Sequence, residues 1–185
     1  MLGRFVVSLA RLDEFDAALV SLPAAPQADW QLSILAGQNP TADAATIAAY
    51  HARQTRARIV SIETKAGTTA DIARLAAAFP PNLETWFELP PASPDLPLLL
   101  EAVRATGRGA KIRTGGVTAA AFPEPAEIAR FLRECHRHGV TMKATAGLHH
   151  PLRGEYRLTY DAGSPRARMF GFLNVLLAAA LIHSG

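Results

Sequence analysis

Two lysines interrupt runs that otherwise read as buried β-strand: Lys111 in AKIRTGG and Lys143 in VTMKATAG. An amine in a strand core is costly unless something uses or neutralises it. On adjacent strands, with backbones roughly 5 Å apart, the two ammonium groups would approach each other. A neighbouring cation and partial burial favour the neutral amine, which can act as a nucleophile or base. Glu63 in ARIVSIETK and Glu88 in ETWFELP supply carboxylates for proton transfer on the preceding strands. The competing reading is structural, an ion-pair network of Glu63 and Glu88 with Lys111 and Arg113 that holds the strands together.

Groups suited to an anion follow both lysines. RTGGV places Arg113, Thr114, Gly115 and Gly116 at one strand exit, and KATAGLHHPLRG places Thr145, Gly147, His149, His150 and Arg153 at and beyond another. Glycines there allow close backbone approach with free N–H groups, and Arg113 or Arg153 offers a fork for phosphate or carboxylate. Glycines that merely turn the chain remain the alternative for each position. Adjacent histidines alone do not make a zinc site, so no metal is assigned, and either histidine is a candidate for ligand binding or catalysis. His136 and His138 fall near a helix end and read as surface residues, while Cys135 lies on an apolar helical stripe and reads as core.

The elements that must position these groups alternate. RFVVSL, DWQLSILAG, ARIVSIETK, ETWFELP, AKIRTGG and VTMKATAG read as strands, each followed by a helical run, which makes six β-then-α units over a single domain, 1–185. In the run from Glu124 to His138, Pro125 suits a first turn, Ile128, Phe131, Leu132 and Cys135 recur at helical spacing, and Gly139 can close the end. Ser61, Glu63 and Lys65 share one strand face, with Val60 and Ile62 opposite; Trp86 and Glu88, Lys111 and Arg113, and Lys143 and Thr145 repeat the pattern. An open sheet covered by helices on both faces would be more continuously apolar. A polar lumen in a (β/α)8 TIM-barrel-like fold explains the alternation, with the site at the strand C-terminal ends. A full barrel needs about 250 residues, so six units in 185 imply an incomplete or truncated barrel, with the shortage expected before Met1 to Arg4. Exposed parallel edges would otherwise favour pairing, hence an expected homodimer.

With 49% hydrophobic and 19% charged residues the chain has the composition of a globular domain. A net charge of +3 without a basic run interleaved with aromatics argues against nucleic acid and suits a small anionic molecule. MFGFLNVLLAAALI is short for a membrane span, MLGRFVVSLARLDEF lacks signal-peptide features, and a lone cysteine fits a cytoplasmic chain.

AKIRTGG, MKATAGLHHPLRG and MFGFLNVLLAAAL resemble the C-terminal part of a family of uncharacterised bacterial TIM-barrel-like proteins, over much of the chain. KATAG, Lys143 to Gly147, resembles the lysine strand of class I deoxyribose-phosphate aldolases, over about one strand. Ala146 stands where that family has a hydroxyl residue, and the second-lysine strand precedes Lys143 here rather than following it. The resemblance implies a Schiff-base Lys143 tuned by Lys111. Three functions are therefore expected in turn. The first is a small-molecule lyase of aldolase type that needs no cofactor, with Glu63 or Glu88 as proton shuttle. The second is metal-assisted enolisation by Glu63, Glu88 and His149, with a lysine as base. The third is a non-catalytic anion-binding or assembly protein.

Overall fold

The computed structural model describes residues 3–22 and 30–185. Met1 and Leu2, which belong to the reading of the chain start, and Asp29, at the head of a predicted strand, lie outside the described residues. Within them the chain alternates β1 (Phe5–Ser8), α1 (Leu12–Ser21), β2 (Trp30–Leu35), α2 (Pro40–Arg53), β3 (Ala57–Lys65), α3 (Thr69–Ala78), β4 (Glu84–Glu88), α4 (Leu96–Ala105), β5 (Gly109–Arg113), α5 (Pro125–His138) and β6 (Met142–Thr145). A two-stranded ribbon, β7 (Gly154–Arg157) and β8 (Arg166–Met169), then precedes α6 (Phe172–Ser184). That ribbon corrects the expectation that the last helix follows the sixth strand directly.

Helix ends are set by local chemistry. Asn39 accepts hydrogen bonds from the backbone N–H groups of Thr41 and Ala42, with Pro40 in the first turn of α2. Thr68 with Asp71, and Glu124 with Glu127, form reciprocal caps at the starts of α3 and α5, and Gly139 ends α5.

All neighbouring strands from β1 to β6 are parallel, and they lie in the sheet in sequence order. When every crossover advances one strand with the same right hand, the helices collect on a single face. They do so here, α2 against α3, α3 against α4, α4 against α5 and α5 against α6. A doubly wound sheet reverses its order part-way and carries helices on both faces. The result is a curled, half-barrel parallel sheet with helices outside.

The helix-covered face carries Leu32, Ile34, Ile59, Ile62, Phe87, Ala110 and Ile112, all buried against Ile47, Ile72, Leu99, Leu100, Val103 and Phe131. Each of the leucine, isoleucine and phenylalanine side chains contributes about 1.5–3 kcal/mol by leaving water. One assignment needs correction: Val60 does not share a face with Ile62. The register shifts between Leu32 and Ser33, which pair with Ile59 and Ser61 and skip Val60. This bulge sends Ile59 and Ile62 to the core and Ser61 and Glu63 to the concave face.

Candidate functional site

The concave face is built in cross-strand rows. Leu35, Glu63, Trp86 and Gly109 are register partners in one row; Lys65, Glu88, Lys111 and Lys143 form the next; Arg113 and Thr145 lie beyond. Trp86 lies flat over Gly109, since a Cβ there would stand 2.4 Å from its ring carbons. Glycine is therefore required at 109 for the indole to fold down onto the sheet.

Glu63 is the hub. Its Oε2 lies 2.6 Å from Lys111 Nζ, its Oε1 lies 2.5 Å from Lys143 Nζ, and the Ser33 hydroxyl donates to Oε1 at 3.3 Å. Lys111 Nζ also contacts Glu88 Oε2 at 2.6 Å. The lysines are thus register partners, as the strand reading placed them, but their ammonium groups meet across a shared carboxylate. Burial pushes the Glu63 carboxyl up, yet the hydrogen bonds and charges of Lys111 and Lys143 outweigh it and hold the group below the usual glutamate range. Glu63 is therefore a carboxylate at neutral pH.

Exposure separates the two amines. The Lys111 side chain is 5% exposed between two carboxylates, whereas that of Lys143 is 26% exposed, its Nζ 5.1 Å from the Trp86 ring centre. Trp86 Nε1 in turn donates to Glu84 at 2.6 Å, and Arg4 grips that carboxylate with both terminal nitrogens at 2.6 and 2.7 Å. Arg113 is not part of the network in the way the ion-pair reading expected: its Nε donates to the Gly115 carbonyl at 2.9 Å.

The predicted residues do not all meet in one cavity. Glu63, Glu88, Lys111 and Arg113 line a cavity of about 300 Å³ at the strand C-terminal ends, together with Asp43. Arg113, Gly116, Gly147, His149 and His150 line a second cavity of about 810 Å³, with Arg113 common to both. Lys143 lines neither and opens onto the concave face beside Trp86.

Thr114 is fully buried, and its hydroxyl donates to the carbonyls of Ala146 at 2.5 Å and Thr145 at 3.2 Å. It clamps the β5 and β6 exits together. Thr145 supplies its carbonyl to the Thr114 N–H at 2.8 Å. Gly115 and Gly147 let those exits touch, a Cβ on Gly147 standing 3.0 Å from the Gly115 Cα. Arg153 turns elsewhere: its guanidinium sits over Phe170 at 5.5 Å, and its N–H donates to Asn174 at 2.7 Å.

Among the described residues no group of three or more His, Cys, Asp and Glu side chains is placed to hold a metal. Glu63 and Glu88 converge on Lys111, and His149 lies in the other cavity. Nor, among the described residues, is any helix long and apolar enough to cross a membrane.

In the sequence Ser61 stands out only as part of the polar face of its strand, and Ser33 and Asp43 do not stand out. The two serines hydrogen bond to each other at 3.1 Å beneath Glu63, and a mid-strand serine on the face of the charged residues was the available signal. Asp43 accepts from the Gly37 N–H at 2.9 Å, and burial raises its carboxyl.

No family model, curated protein or solved structure matches the chain.

Proposed function

We propose that this is an enzyme with a TIM-barrel-like fold, a small-molecule lyase of aldolase type in which Lys143 forms a Schiff base with a carbonyl substrate, and that it acts as a homodimer. The observation that carries the reading is the division of labour around Glu63. Lys111 is enclosed by Glu63 and Glu88, while the accessible Lys143 amine stands on the other Glu63 oxygen, above an aromatic wall. The local likeness of Lys143 to Gly147 to the lysine strand of deoxyribose-phosphate aldolases supports the same residue.

In this reading Lys143, once it has released its ammonium proton, attacks the carbonyl carbon. The oxygen takes one proton from the amine and one from a nearby acid and leaves as water; the resulting iminium draws in the electron pair of the adjacent carbon–carbon bond as a base removes the β-hydroxyl proton, and the β-carbon departs as an aldehyde or ketone. Protonation of the enamine carbon and hydrolysis by water restore the amine. Glu63 and Glu88 are the candidate proton carriers, and the lysines hold Glu63 ionised. Arg113 at the rim provides the charge for an anionic substituent.

The test is reductive trapping of the full-length chain with borohydride and a panel of small aldehydes and keto acids. Intact and peptide mass measurement should find one adduct on Lys143, and Lys143→Met should lose it. A folded protein that yields no adduct across the panel overturns the reading. The structural alternative then takes its place, favoured by the fact that each charge of the network already has an opposite charge within 2.6 Å.

A further inference from the structure

The larger cavity is separate from the lysine network in its chemistry. It opens between the exit loops of β5 and β6 and the β7–β8 ribbon, and no lysine or carboxylate lines it. Its polar lining includes Arg113, Arg157 and His149, and its apolar lining includes Phe122, Tyr156 and Met169. At about 810 Å³ it falls in the size range of small-molecule sites, far above what a lone inorganic ion needs.

Three observations point to a negative ligand. Arg157 and Arg166 are directly opposite each other on the ribbon, where like charges are destabilising unless a counter-charge joins them. Arg166 donates to the Glu155 carbonyl at 2.6 Å and Arg113 Nε to the Gly115 carbonyl at 2.9 Å, but neither the Arg157 guanidinium nor the terminal nitrogens of Arg113 bond to any described residue. Finally, Ala146 on the cavity wall has φ +66°, a left-handed conformation costly for a residue with a Cβ and concentrated at ligand sites. The apolar wall is equally organised. His150 stacks on Tyr156 with ring centres 3.4 Å apart, and the Tyr156 hydroxyl donates to the Leu152 carbonyl at 3.0 Å, which fixes a flat surface.

We propose that this cavity binds a small amphipathic oxyanion, a phosphate ester or carboxylate carried on a flat apolar body. Arg113 and Arg157 take the oxyanion, and Phe122, Tyr156 and Met169 receive the body. The site stands whether or not Lys143 is a nucleophile. Its position suits substrate selection: Arg113 follows the Lys111–Lys143 row by two residues on the same face, about 7 Å along the strand.

Isothermal titration calorimetry of the full-length chain at low ionic strength tests this with phenyl phosphate, phenylacetate, inorganic phosphate and benzyl alcohol. One aromatic anion should bind saturably at one per chain, and which of the two binds tighter names the oxyanion. Inorganic phosphate and benzyl alcohol should each bind about tenfold or more weaker, because each lacks one half of the recognition. Arg157→Gln should weaken the aromatic anion about tenfold or more, the loss of a charged hydrogen bond. Its exposed and unbonded side chain makes loss of fold an unsuitable explanation, and circular dichroism checks it. Phe122→Ala should weaken the aromatic anion but leave inorganic phosphate unchanged. Failure of both aromatic anions to saturate, benzyl alcohol binding as tightly as they do, or Arg157→Gln binding like the parent would each overturn the proposal. Borohydride trapping reads Lys143 alone, so the two proposals fail separately.

Discussion

Lys111 shows how a buried charge is tolerated and what its loss would do. Its amine is satisfied by Glu63 and Glu88, and each carboxylate leans on it in return. Lys111→Met would leave two carboxylates in a low-dielectric site with only Lys143 at hand, a change that costs about 3–5 kcal/mol. For a chain of this length that lowers the melting temperature by on the order of 10 °C, as calorimetry would show. Adding Glu63→Gln and Glu88→Gln should recover much of the loss, since neutral amides do not need the cation. A loss below about 1 kcal/mol for Lys111→Met would mean that water reaches the network. Acid should act on the same hub. Glu63 titrates lower folded than unfolded, so its stabilisation is complete above the unfolded glutamate value of about 4.3 and drains away as pH falls through the lower folded value. Urea unfolding midpoints should therefore fall as the pH drops below the unfolded glutamate value of about 4.3, and the fall should be smaller in Glu63→Gln.

Among the elements, the paired exits of β5 and β6 are the most constrained. Gly147 has φ +73°, and a Cβ there would meet the Gly115 backbone, which cannot rotate away. Gly147→Ala should cost about 2 kcal/mol or more, combining backbone strain with the clash. Thr68→Ala removes one cap of α3 and should cost about 1 kcal/mol. Denaturant unfolding of the two variants checks the order; equal costs would mean that the exit loops shift apart easily. The helices were legible because the signals that build them are local. Asn39 with Pro40, Thr68 with Asp71, and Glu124 with Glu127 lie within one turn of each other. The β7–β8 ribbon was not legible, because its strands, GEYR and RARM, are short, charged and without an apolar alternation. Their pairing depends on each other and on the cavity they close.

For the whole molecule, the open sheet leaves β1 and β6 as edges, and apolar side chains face outward near both ends of the chain: Phe5 and Val6 on β1, and Leu173, Leu176, Leu177 and Leu181 along α6. Burying these would stabilise an assembly. Light scattering should report a mass of twice 19.8 kDa or more, and Leu177→Glu with Leu181→Glu should shift it downward. A stable species of 19.8 kDa in the parent would overturn the expectation of a homodimer.

The alternation of strands and helices, the charged stripe on consecutive strands and the lysine pair can all be read along the chain. Each of these is written in spacings of two or of three to four residues, which fix the face on which a side chain lies. Which side chains meet is set by the folded chain. Lys143 finds Glu63 across 80 positions of sequence, the skipped Val60 sets which face Ser61 and Glu63 occupy, and Arg113 bonds the Gly115 carbonyl instead of a carboxylate and borders both cavities. Register, curl and loop packing arise from contacts distant along the chain, and local periodicity carries no record of them.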